Sequence, residues 1–90
     1  MLEKVKLALR ITDSDFDEEL NALIASARAD LAVAGITGTD SDTDPLIQTA
    51  VISYVKMHFG EPDEYDRLKA SYDEQKAQLS THTGHTEWGL

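Results

Sequence analysis

Between Asp44 and Gly60 the apolar positions recur so densely that a helix drawn through them, at about 100° per residue, is apolar over most of its circumference. Leu46, Ile47, Ala50, Val51, Tyr54, Val55, Met57 and His58 share one broad arc, Ile52 and Phe59 widen it, and only Thr49, Ser53 and Lys56 define a polar strip. Both ends carry local signals. Asp44 can cap the first turn with its carboxylate, and Pro45 suits the first helical position, where a missing N–H costs nothing. Gly60 supplies a left-handed closing residue and Pro62 forbids continuation. Such a surface suits a central helix, about 45–59, covered by the other elements and open to a neighbouring subunit, with Ile47, Val51, Tyr54 and Val55 in the core.

The flanking stretches repeat the helical period more sparingly. Leu2, Val5 and Leu9 predict a short first helix, with Lys4, Lys6 and Arg10 facing away from the apolar side. Phe16, Leu20, Leu23, Ile24, Ala27, Leu31 and Ala34 form the stripe of a second helix, flanked by small Ala22, Ala25, Ala29 and Ala32 that allow another helix close approach. Ser14 or Asp15 can cap it, and the acids Asp13 to Glu19 suit the positive end of its dipole. Gly35 ends it, with Ile36 placed to touch Leu31. Asp63 can start a fourth helix running to about Leu79, with Tyr65, Leu68, Tyr72 and Leu79 on a narrow seam that Gln75 interrupts. Glu64 with Arg67, Asp66 with Lys69 and Asp73 with Lys76 are candidate surface pairs on it. The expectation is an all-α, small four-helix domain over residues 1–79 with an extended C-terminal tail, residues 80–90.

Candidate chemistry is thin. Asp40, Asp42 and Asp44 open like a calcium loop, but in that register Pro45 stands at the turn glycine and Val51 at the closing glutamate. Asp13, Asp15 and Asp17 fail likewise, ending on Ile24. His82 and His85 lack further metal ligands, and His58 reads as a last-turn helix residue. Phosphate loops, nucleophile elbows and helical zinc motifs are absent from the sequence, so catalytic, cofactor and metal residues are all expected to be none. Trp88 changes the reading of the tail, because ordering Ser80 to Leu90 needs an anchor and a lone indole is a good one. The tail is expected to dock on a neighbouring subunit, with Trp88, His85, Tyr65 and Tyr72 as partner-contact residues. A tail folding back would instead lay Trp88 against Tyr65 or Tyr72.

Composition narrows the class of protein. Ninety residues at 41% hydrophobic allow one domain with a modest core, so that assembly can contribute to stability. Zero cysteines exclude disulfides and thiolate chemistry. Apolar runs are too short for a membrane span, and Met1 to Ile11 does not read as a signal peptide, so a soluble protein is expected. A formal charge of −9 argues against gripping a phosphate backbone.

The order of elements, LEKVKLALRIT, DSDFDEELNALIASARADL, a loop, DPLIQTAVISYVKMHFGEP and YDRLKASYDEQKAQLS, resembles the head-tail connector, or head-completion, family of tailed bacteriophages and prophages. These are small helical accessory proteins of DNA packaging. The resemblance covers nearly the whole chain and rests on pattern, most persuasively on the third segment. It implies a non-enzymatic virion protein of the head-tail junction, made in the host bacterial cytoplasm. It also implies a self-assembled ring, roughly a dodecamer to match the portal, that extends the channel and carries a downstream neck or tail-completion protein. DNA would pass through without specific binding. The competing class is a small acidic regulatory or inhibitory protein imitating nucleic acid. Such a mimic should spread its carboxylates along one face, whereas these concentrate at helix starts and in the loop.

Overall fold

The structure, a computed structural model, describes residues 1–60 and 63–81. Within them the chain forms four helices and no strand: α1 Leu2–Leu9, α2 Asp17–Val33, α3 Pro45–His58 and α4 Tyr65–Thr81. Each helix returns along the one before it. Lys6 near the end of α1 holds Asp17 at the start of α2 (2.8 Å), and Phe16, just before α2, meets Phe59, just after α3, edge-on at 5.3 Å. His58 at the end of α3 lies 6.3 Å from Tyr65 at the start of α4.

α3 is the centre, packed against all three other helices. Its apolar arc supplies Ile47, Ala50, Val51, Val55 and Met57 to the core, against Val5 of α1, Leu20, Ile24, Ala27 and Leu31 of α2, and Tyr72 and Leu79 of α4. Its ends form as their residues dictate. The Asp44 carboxylate accepts from Leu46 N at 2.9 Å, Pro45 occupies the first turn, and Gly60 takes the left-handed conformation at φ 68°. Removing that cap with Asp44→Ala should lower stability by about 1 kcal/mol. A thermal or urea midpoint unchanged from the parent would refute it.

α2 closes on Gly35 (φ 86°). Ile36 N donates to the Leu31 carbonyl at 3.2 Å and Gly35 N to the Ala32 carbonyl at 2.9 Å, with the Ile36 side chain buried beside them. α1 uses the same closure without a glycine: Arg10 sits at φ 60°, and Ile11 N donates to the Lys6 carbonyl at 2.9 Å.

Four details differ from the sequence expectations. Neither Ser14 nor Asp15 caps α2 through its side chain; the Asp13 carboxylate instead accepts from Asp15 N, making a local turn, and the helix begins at Asp17 with Phe16 half-exposed ahead of it. Phe59 leaves the helix for an extended conformation, so α3 ends at His58. Tyr54 lies at the rim of the core, half-buried, because its ring faces His58 and Tyr72. On α4 the Glu64–Arg67 pair forms, but Lys69 turns to Asp73 (2.7 Å) rather than Asp66, and Lys76 crosses to Asp30 of α2 (3.3 Å) rather than Asp73. The i,i+4 reach and an acid on the facing helix win over the i,i+3 spacing.

Candidate functional site

Sequence reasoning assigned partner contact to Tyr65, Tyr72, His85 and Trp88; the latter two, like His82, lie outside the described residues. Tyr65 and Tyr72 are brought into one cluster where α4 crosses α2 and α3. Their exposures differ sharply. Tyr72 retains 2% of its surface, whereas Tyr65 at the start of the helix keeps 40%. The reason is position on the seam: Tyr72 lies over the middle of α3, where α2 also reaches it, and Tyr65 lies beside the last turn of α3.

The Tyr72 hydroxyl donates to Asp30 Oδ2 at 2.5 Å, and the Lys76 ammonium donates to the same oxygen at 3.3 Å. Lys76 also stands 5.3 Å from the centre of the Tyr72 ring. Burial, then the hydrogen bond to Asp30, then the charge of Asp30 push the Tyr72 phenol well above the ordinary tyrosine range. It is therefore a neutral hydrogen-bond donor, unsuited to act as a nucleophile or base near neutral pH. Tyr54 packs edge-on to Tyr72 at 5.4 Å and against His58 at 4.3 Å, and its own phenol is pushed up chiefly by burial. On the outer side Lys69 holds Asp73, which lowers the Asp73 carboxyl and raises the Lys69 ammonium.

Asp30, Tyr54, Met57, His58, Tyr65, Lys69, Tyr72, Asp73 and Lys76 line an open recess of about 250 Å³. Both its carboxylates are engaged by lysines, and no group of three or more potential metal ligands exists among the described residues. What the recess offers a partner is the exposed edge of Tyr65 and His58.

Asp40, Asp42 and Asp44 do not converge on a shared point. Asp42 pairs with Arg28 of α2 (2.5 Å) and lies 3.6 Å from the Met1 amino group, while Asp44 caps α3. Arg28 first, and then the amino group, hold the Asp42 carboxyl below its usual range. The acidic loop is thus tied down by cations of the same subunit.

Among the described residues, besides Phe16 and Tyr65, three apolar side chains are exposed that sequence periodicity did not single out as exposed. Leu7 of α1 is 80% exposed and Val33 at the end of α2 is 88% exposed. Leu46, in the first turn of α3, is 48% exposed and borders a groove of about 440 Å³ together with Thr49, Gln75, Gln78 and Leu79. Leu46 belonged to the predicted apolar arc; it stands at the end of that arc, in the first turn of α3, where the groove leaves it half-exposed. Leu7 carried a signal of its own, a leucine set apart from the Leu2, Val5 and Leu9 side of α1.

Residues 1–86 match the family model described as phage connector protein. No curated protein and no solved structure matches the chain significantly.

Proposed function

The chain belongs to the phage connector protein family, and from that premise we propose that it is the head-tail connector of a tailed phage, forming a ring beneath the portal that extends the DNA channel. The ring is expected to contain about twelve copies, matching the portal, and to present the platform for a neck or tail-completion protein. The protein is structural and works in the virion, at the head-tail junction. The observation that carries this reading is the family match, which runs from α1 past the end of α4.

The surface supports it. Leu7 lies beside the start of α2 and Val33 at its end, about 24 Å apart along a helix rising 1.5 Å per residue. Two exposed apolar side chains at opposite ends suit head-to-tail contact between copies, the kind that can close into a ring, better than a two-fold contact. The net charge of −9 suits a channel wall from which DNA slides without being held. Tyr65 and the tail, residues 80–90, are the further contacts proposed for a neighbour or the portal.

Mass measurement of the purified protein, alone and mixed with portal rings, tests the proposal. A closed oligomer or a stoichiometric portal complex is expected, with no tight binding to duplex DNA at physiological salt. A concentration-independent monomer that ignores portal rings would sink the reading, as would nanomolar affinity for duplex DNA.

A further inference from the structure

The groove between the first turn of α3 and the last turns of α4 has a specific chemistry. Leu46 and Leu79 give it apolar walls, while Thr49, Gln75 and Gln78 border it with polar groups. Gln75, one of its lining residues, has a side-chain carbonyl that is withdrawn from solvent and has no hydrogen-bond partner among the described residues. A buried acceptor without a donor is costly, so the occupant that suits this site brings an N–H on an otherwise apolar body. An indole is such a group: its ring nitrogen only donates, and the rest of the ring is apolar. The chain has a single tryptophan, Trp88.

We propose that this groove is the socket for Trp88 of an adjacent copy, its indole lying between Leu46 and Leu79 with the ring N–H directed to the Gln75 carbonyl. The proposal rests on the assembly reading above and names the contact that reading needs. At Leu79 α4 has come level with the start of α3, and it continues to Thr81. Trp88 is the seventh residue after Thr81, a reach of up to about 24 Å when extended. The groove of one copy and the tail of the next are unlike surfaces, as a head-to-tail contact requires.

Because Trp88 is the sole tryptophan, its fluorescence reports the socket directly. In the assembled protein its emission should be shifted to the blue and shielded from acrylamide, and dilution to the monomer should move both to the values of a solvated indole. Leu46→Asp should keep the emission red at every concentration and weaken assembly about thirtyfold, the loss expected of an interface anchor. Leu46 is half-exposed in the free subunit and lies in the first turn of α3, where an acid suits the helix dipole, so the variant should keep its fold, which circular dichroism checks. Gln75→Leu is the second variant: it retains the bulk of the wall but removes the acceptor, and should weaken assembly in the same direction, so that on dilution Trp88 becomes solvated at a higher concentration than in the parent. Sedimentation of the same samples separates two failures. A chain that assembles with itself or with portal while Trp88 stays solvated, or stays buried despite Leu46→Asp, overturns the socket and leaves the connector reading standing. A chain that never assembles overturns both, and a tryptophan shielded in the monomer at every dilution shows that the tail folds back on its own subunit.

Discussion

Replacing Val55 with aspartate should leave the protein largely unfolded at 25 °C and neutral pH. Val55 is fully buried on the central helix, within the core to which all four helices contribute. An unpaired carboxylate there must either lose its hydration or take up a proton, at a cost of several kcal/mol, and the substitution also discards the packing of the valine. A domain of this size has on the order of 5–10 kcal/mol to lose. The same residue placed at Ala70, exposed on α4, should cost only about 1 kcal/mol, from helix propensity and the neighbouring acids Asp66, Asp73 and Glu74. Cooperative unfolding of the Val55→Asp protein at the parent's midpoint would show that Val55 is not in the core.

The parts of this fold legible in the sequence are those whose cause is local. Asp44, Pro45 and Gly60 mark α3 because a carboxylate, a ring and a missing side chain each act within one turn of the backbone, and the structure places all three in those roles. Gly35 and Ile36 close α2 for the same reason. The central position of α3 could be read from its apolar circumference, since no smaller set of neighbours would cover it. Rotation of one helix against another could not be read. Asp30 flanks the stripe of α2, and only the crossing of α4 gives it Tyr72 and Lys76 as partners. Lys6 looked solvated until the return of α2 set Asp17 beside it, where the hydrogen bond raises the lysine above its ordinary range. Exposure of Leu46 is of the same kind: the pattern of α3 gives its arc, but only the packed arrangement of the helices shows which part of the arc stays open.

Tyr72 should be the most consequential polar contact, and its loss should have a pH signature. Tyr72→Ala removes a nearly fully buried ring that also packs on Tyr54, and should cost about 3–5 kcal/mol. Tyr72→Phe keeps the ring and loses only the hydrogen bond to Asp30, about 1–3 kcal/mol at neutral pH because the acceptor is charged. The pH dependence follows from the direction of the shift. The folded phenol is pushed up by burial and then by Asp30, so the native state keeps a proton that the unfolded chain releases near pH 10. This contribution is fully present below about pH 10 and is lost as the pH rises above it. Lys6 and Lys69, raised by their aspartate partners, and Tyr54, raised chiefly by burial, lose stability in the same direction, so the parent should fall off steeply in alkali. In Tyr72→Phe the alkaline limb should be shallower, and the gap between the two proteins should narrow as the pH rises above about 10. Urea unfolding from pH 7 upward measures both curves. Parallel curves across the alkaline range would show that the Tyr72 hydroxyl is not the buried, Asp30-bound donor described above.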